Sequence, residues 1–235
     1  MILITDTHIK GTIQGNEEFF SMLELFSQTE HDIVFLGDIF DLWLGIPEYE
    51  KPIHHKFIKW CLEEQNKRKI IFLEGNHEFY VFDKYSHLFH NKDKDFWIDE
   101  KKEIFFTHGD LINKEDNNYL ILRKITKNNI CRLFLKILPF GKNLVNYLKR
   151  KLTKPDKTHK KTLPAEQIDE FIERKSRSGF KYIFTGHFHL KSTIKHKNGI
   201  TFFSLPDWEE TKEITVFDIQ SKNITNQHWQ QLQKR

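Results

Sequence analysis

Five short segments of this chain gather groups that can hold a cation. They are Asp6-Thr7-His8, Gly37-Asp38 with Asp41, Gly75-Asn76-His77, His108-Gly109-Asp110 and Gly186-His187-Phe188-His189. Carboxylate, imidazole and amide oxygen are donors for divalent ions such as Mn2+, Fe2+ or Zn2+, and no thiolate is among them. Two such ions about 3.5–4 Å apart can clamp a phosphate and activate a water, the logic of phosphoryl hydrolysis by paired metals. Any one segment alone reads as a turn or as a histidine hydrogen-bonded at a surface. Five in order, each directly behind an apolar run, point to one constructed centre.

The apolar runs are the elements that must position these groups. Residues 1–5, 33–36, 69–73, 104–107 and 182–184 have the length and composition of buried strands, and 96–98 form another. Helical patterns lie between the first three: Phe19, Met22, Leu23 and Phe26, then Phe57, Ile58, Cys61 and Leu62. Strand, helix, strand, helix, strand predicts an α/β fold with adjacent parallel strands, whose loops collect side chains at one edge of the sheet. A helix is expected over 164–175 with Pro164 in its first turn. Alternation around 193–203 and 214–219 predicts antiparallel strands. His54, His55, His87 and His90 find no partners at ligand spacing and read as surface residues. Trp208 reads equally as core or as a neighbour of the centre. Glu78 reads as a cap on the turn behind His77 or as a substrate contact.

A chain of 235 residues buries enough surface to fold without a disulfide or a structural metal, and it reads as one domain over 1–235. Cys61 and Cys131 form no CxxC pair, which predicts free thiols and a reducing compartment. The 22 Phe predict a core built from aromatics. No apolar run reaches the length of a membrane span, and the start reads as a strand rather than as a basic-then-apolar leader. A disulfide scaffold, a membrane-spanning protein and a disordered chain are therefore excluded. The net charge of +4 hides an asymmetry: residues 114–161 hold fourteen Lys or Arg and three acids, a net of +11, so the remainder is at −7. This region reads as a basic amphipathic helical insertion over 112–163, broken at Pro139-Phe140-Gly141 and near Pro155. Its apolar stripes include Leu120, Ile121, Ile125, Ile130, Leu133 and Phe134, and its cationic faces include Arg123, Lys124, Lys127 and Arg132. Such helices either lie on an anionic membrane or pack their apolar face on the body.

Together, Asp6-Thr7-His8, Gly37-Asp38-Ile39-Phe40-Asp41, Gly75-Asn76-His77-Glu78, His108 and Gly186-His187-Phe188-His189 resemble the five-part signature of the calcineurin-like metallophosphoesterases. The resemblance implies a four-layer α/β/β/α sandwich with a helical insertion or lid. It also implies a centre of two divalent ions, Mn2+ foremost, with Fe or Zn as alternatives. One ion would be held by Asp6, His8, Asp38 and His189. Asp38 would bridge to the second, held also by Asn76, His108 and His187. His77, held by Asp41, would sit outside the metals and stabilise the phosphate or protonate the leaving oxygen. A carboxylate beside an imidazole fixes its tautomer and keeps a proton on it, which suits an acid.

Three further features narrow the resemblance: Asp41-Leu42-Trp43, the basic insertion behind Gly109-Asp110, and Leu205-Pro206-Asp207-Trp208-Glu209. They are similar to the UDP-2,3-diacylglucosamine diphosphatase group of lipid A biosynthesis, where a helical lid grips acyl chains. That implies a glycolipid nucleotide substrate cleaved to UMP and the acylated glucosamine 1-phosphate. It also implies a cytoplasmic enzyme peripheral on the inner membrane, with Arg123, Lys124, Lys127 and Arg132 as substrate-binding candidates. The chain departs from that group in carrying His77 and Asp41 where the group carries Arg and Glu. A nucleotide, another nucleotide diphosphate or a nucleic-acid phosphodiester therefore stays open as the substrate. Nucleic acid is not expected as a partner, because the insertion interleaves its charges with aliphatics and offers few stacking aromatics. A non-catalytic scaffold would be expected to lose ligands, and here all seven are present.

Overall fold

The computed structural model describes residues 1–99, 101, 103–115, 117–137, 145 and 162–233. β1 (Ile2–Ile4), β2 (Ile33–Phe35) and β4 (Ile70–Phe72) lie side by side and parallel, each three apolar residues buried throughout. Strands covered on both faces need no polar alternation, which is why each reads as a continuous apolar run. β11 (Glu213–Phe217) joins antiparallel beside β1, and β12 (Ile224–His228) closes that edge, giving the order β12-β11-β1-β2-β4. The second sheet has the order β6-β7-β8-β10-β9, from β6 (Phe96–Ile98), β7 (Ile104–Thr107), β8 (Tyr182–Thr185), β9 (Ser192–Lys195) and β10 (Thr201–Ser204). Its three central strands are parallel. A short parallel pair, β3 (Trp43–Leu44) with β5 (Glu78–Phe79), ties together the loops that follow β2 and β4.

Side chains alternate across each strand, and this assigns the layers. Leu3, Val34 and Ile71 face the second sheet, where they meet Ile104, Phe106, Phe184 and Phe203. Phe184 is the hub of that interface, with ring centroids 4.8 Å from Phe203, 5.0 Å from Phe217 and 5.3 Å from Phe106. Ile2, Ile4, Phe35 and Phe72 face outward onto α1 (Glu17–Phe26) and α2 (Pro52–Glu64), and Val81 and Phe82 of the short α3 (Val81–Tyr85) join the same core. On the far side Phe105, Ile183 and Phe202 receive Ile168, Phe171 and Ile172 of α6 (Ala165–Ser176). Helices, sheet, sheet, helix is the expected four-layer sandwich.

Several details differ from the sequence reading. Pro164 caps α6 rather than entering it. On α2, Leu62 is exposed and His54 is buried instead, its ring stacked 5.2 Å from Trp43 and its Nδ1 accepting the Lys51 N–H. Burial pushes the His54 ring down to about 3, so it serves the core as a neutral acceptor. β12 was not anticipated, because Ile-Thr-Asn-Gln-His has one apolar residue and its strand lies at a sheet edge. In the insertion, α4 (Asn117–Thr126) and α5 (Asn129–Ile137) part at residues 127–128. The breaks expected at residues 139–141 and 155 lie outside the described residues.

Candidate metal centre

Asp6 and His8 follow β1, Asp38 follows β2, Asn76 and His77 follow β4, His108 follows β7, and His187 and His189 follow β8. These are carboxyl ends of the parallel strands of both sheets, so packing the sheets face to face brings all seven expected ligands to one rim. The backbone turns sharply there. Of the eight non-glycine residues with positive φ among those described, five are expected ligands: Asp6, His8, Asp38, His187 and His189. The left-handed region is costly for ordinary residues and tolerated best by Asn, Asp and His. Main-chain bonds hold it in place, among them Asp6 N–H to the Gly37 carbonyl at 3.1 Å and His8 N–H to the Asp38 carbonyl at 3.0 Å.

Each carboxylate has one oxygen fixed and one open. Asp6 Oδ2 accepts from Thr5 Oγ1 and from the His187 N–H, while Asp6 Oδ1 is buried with no hydrogen-bond partner and lies 3.5 Å from His189 Nε2. Asp38 Oδ1 accepts the His77 N–H, while Asp38 Oδ2 has the Nε2 atoms of His108, His77 and His8 at 3.3, 3.9 and 4.0 Å. Asn76 Oδ1 lies 3.2 Å from His108 Nε2 and 3.1 Å from His187 Nδ1. Donor atoms of Asp6, His8 and His189, of His8, Asp38 and His77, and of Asp38, His108 and His187 each converge within 4.8 Å. A buried carboxylate oxygen without a partner costs free energy unless something positive meets it. These oxygen and nitrogen donors fit a pair of divalent cations, with Asp38 placed between the Asp6 side and the Asn76 side of the rim.

Protonation follows from burial and from Asp38. Burial pushes His8 down, and it pushes His187 to about 4 with help from His108, so both rings are neutral donors at pH 7. At His108 burial also opposes the charge, but Asp38 outweighs it and raises the ring to about 10. Burial likewise opposes charge on Asp38, and His108 and His77 hold its carboxyl well below the usual range. His108 Nδ1 faces the Leu36 carbonyl at 2.7 Å, which fixes the proton there and turns Nε2 to the centre.

His77 is oriented the same way. Its Nδ1 meets the main-chain carbonyl of Asp41 at 2.5 Å, where the sequence reading expected the Asp41 carboxylate. A carbonyl only accepts, so Nδ1 carries the proton and Nε2 faces Asp38.

Glu78 is a residue whose part the sequence reading missed. Its fully buried carboxyl group accepts the N–H groups of Asp38 at 2.9 Å, Ile39 at 2.7 Å, Phe40 at 3.3 Å and Gly75 at 2.8 Å. Burial, with Asp38 nearby, raises this carboxyl to about 7, and the main-chain donors oppose the rise. Glu78 thus fastens the loop carrying Asp38 to the loop carrying Asn76. Gly75 makes that approach possible, since a Cβ there would lie 2.1 Å from Asp38 Oδ1. The GNHE tetrapeptide contained this signal, but the contact crosses about forty residues of sequence.

The four basic candidates divide. Arg123 donates to Asp110 Oδ2 at 2.9 Å and to Asp95 Oδ1 at 2.6 Å, and Lys127 donates to Glu74 Oε2 at 3.2 Å and to the Gly75 carbonyl at 2.8 Å. Burial opposes charge on Asp110, and Arg123 together with His108, Lys127 and His187 more than offsets it, lowering the carboxyl. Arg132 lies over the Tyr80 ring at 5.5 Å, and Lys124 is exposed. The segment carrying Arg123 and Lys127 is therefore turned inside out. Tyr119, Arg123, Thr126 and Lys127 face the body, while Ile121, Ile125, Ile130, Leu133 and Phe134 on the two insertion helices are 54–64% exposed. Trp208 belongs to the core, edge-on to Phe19 at 5.9 Å.

A family model described as calcineurin-like phosphoesterase matches residues 1–191. A UDP-2,3-diacylglucosamine hydrolase of Blochmanniella floridana is 26% identical over 245 aligned positions, covering 95% of this chain and 94% of that protein. Another, from Neisseria meningitidis serogroup B, is 28% identical over 185 positions, 75% of each chain. Among solved structures, a novel archaeal phosphodiesterase aligns with a TM-score of 0.50 at 12% identity over 96% of this chain and 97% of the other, a likeness of fold.

Two outcomes are expected. Glu78→Gln turns an amide N–H2 toward main-chain donors, and should cost about 3 kcal/mol in urea unfolding and lower the bound metal; unchanged stability and metal content would refute the clamp. A cation must displace the His108 proton, so Mn2+ uptake at pH 7 should release protons and the affinity should fall as pH falls. Identical calorimetric heats in buffers of different ionisation enthalpy would count against this.

Proposed function

This chain belongs to the calcineurin-like phosphoesterase family, and we propose that it hydrolyses UDP-2,3-diacylglucosamine to UMP and 2,3-diacylglucosamine 1-phosphate. The observation that carries this reading is the position of the exposed apolar surface of α4 and α5, on helices anchored to the loops of a phosphoesterase centre. The activity named for the relatives supports the same substrate.

Two divalent ions, Mn2+ by preference, would be held by Asp6, His8, Asp38 and His189 and by Asp38, Asn76, His108 and His187. They would supply Lewis acidity toward the phosphoryl oxygens and lower the pKa of water. In the reaction the oxygen of water forms a bond to one phosphorus, and the bridging P–O bond breaks. His77 lies beside Asp38, and with its Nδ1–H held on the Asp41 carbonyl, a second proton taken up at Nε2 would hydrogen-bond the phosphate and pass to the leaving oxygen. Asp41 acts on this step through its carbonyl, by setting that tautomer. Glu78 keeps Asp38 and Asn76 in register while charge builds on the phosphate.

The apolar surface would take up acyl chains or rest at an anionic inner-membrane surface on its cytoplasmic side, each buried methylene contributing about 0.8 kcal/mol. Lys124 and Arg132 stand beside it to meet phosphate. No described helix is long and apolar enough to cross a membrane, and we read such an association as peripheral. His77 and Asp41, in place of the diphosphatase group's Arg and Glu, favour as a second reading a related nucleotide diphosphate. The dependence of rate on acyl-chain length separates the two.

Purified protein with Mn2+ should release UMP from the diacylated substrate, and His8→Ala should abolish this. His77→Ala should lower kcat by about 10²–10⁴. Hydrolysis of a soluble diester without the lipid substrate would reject the lipid reading and keep the centre. Ile125→Glu with Leu133→Glu should lower activity on vesicle-borne substrate about tenfold and leave soluble-diester cleavage unchanged. Equal loss on both substrates would show that the surface is not used for lipid.

A further inference from the structure

The buried face of α4 and the residue behind it is ionic, and its contacts fall on the loops that carry two expected ligands of the second ion. Lys127, whose side chain is only 5% exposed, spans Glu74 and the carbonyl of Gly75, the residue that immediately precedes Asn76. Arg123, one helical turn earlier, pairs with Asp110, two residues beyond His108, and Tyr119 donates to the same carboxylate. Tyr80, two residues beyond Glu78, donates its hydroxyl to the Thr126 carbonyl. Tyr119, Arg123 and Lys127 also line a small cleft with Asn76, Phe79 and Leu122.

We propose that Lys127 is a positioning residue for the metal centre, holding the Asn76 loop from the side of the helical insertion, so that the insertion helps to build the second cation site. The inference rests on the two-ion reading above. Asn76 offers one neutral oxygen, and that oxygen already sits between His108 and His187. Its placement depends on the path of the backbone from Glu74 to His77, which Glu78 fixes from within through the Gly75 N–H. Lys127 fixes the same residue from outside through the Gly75 carbonyl. Removing either tie frees Asn76 to move. On the side of the first ion, the Asp6 carboxylate is held by Thr5 and the His187 N–H, and the main chain at Asp38 and Ile39 is held by Glu78, none of which Lys127 touches. Outer partners of metal ligands commonly govern affinity by about 10–100-fold.

The test uses full-length protein and Mn2+ alone, with equilibrium dialysis for stoichiometry and low-temperature EPR for the exchange-coupled pair. Wild type should bind two ions and show the coupled signal. Lys127→Met should keep the first ion, bind the second at least about tenfold more weakly, and replace the coupled signal by that of isolated Mn2+. Lys127→Met leaves Glu74 buried without its cation, so Glu74→Gln is combined with it. The introduced amide retains the Oε1 acceptor that the Phe82 N–H needs, removes the stranded charge, and leaves the Gly75 carbonyl untied. The double variant should still lose the second ion, and Lys127→Arg should retain it. Two ions bound by the double variant as tightly as by wild type would overturn the inference and leave the two-ion reading standing. Fewer than two ions on the wild type would remove both.

Discussion

Asp38 is the constraint on which the rest of the centre depends. One of its oxygens is held by the His77 N–H and the other is ringed by three imidazoles. A buried carboxylate cannot remain charged without such company, and imidazoles cannot converge on one oxygen unless loops from different strands are held at fixed distance. The two sheets meet this need. The apolar interface between them, where Phe184 stacks on its sheet neighbours Phe106 and Phe203 and meets Phe217 of the facing sheet, packs β7 and β8 against β1, β2 and β4, and the ligands lie one to four residues beyond the ends of those strands. The left-handed turns at Asp6, His8, Asp38, His187 and His189 are the local cost of aiming these side chains at a common point.

Much of this was legible in the sequence. Short apolar runs followed closely by Asp, His or Asn announce strands that end at a rim, and five such runs point to the seven donors. The sheets themselves were partly legible, because parallel strands buried on both faces read as unbroken apolar runs while β12, an edge strand of mostly polar residues, does not. His54 was misread because a histidine on an amphipathic helix gives no sign that its neighbour in space is Trp43. The grip of Glu78 on the main chain at residues 38–40 was out of reach for a similar reason. Main-chain donors carry no sequence signature, and the same holds for the Asp41 carbonyl that fixes His77.

The insertion shows a different limit. Its periodicity establishes that α4 has an apolar stripe and a basic stripe, but not which one turns inward. Apolar stripes usually do. Here carboxylates already buried on the body, Glu74 and Asp110, reverse the outcome, because each needs a cation and the chain supplies Arg123 and Lys127 at i and i+4 spacing. Ile121 and Ile125 then have no place but the surface. The outward apolar face is thus a consequence of the charges beneath the helix.

Those charges can be followed one carboxylate at a time. Asp6, Asp38, Glu74, Glu78 and Asp110 are all within 5% of complete burial. Left alone they would repel one another and unfold the rim. Glu78 is satisfied by four main-chain N–H groups, Glu74 by Lys127 and the Phe82 N–H, and Asp110 by Arg123 and Tyr119. Asp6 and Asp38 each turn one oxygen toward imidazoles instead. Of these five carboxylates, three are compensated by fixed donors of the chain, and the other two are those that a pair of divalent ions would meet. In placing Lys127 and Arg123 the protein has used the insertion to do part of that work. A helix that balances charge beneath a metal rim while presenting apolar side chains above it would join the phosphoryl chemistry to a lipid-bearing substrate through one element.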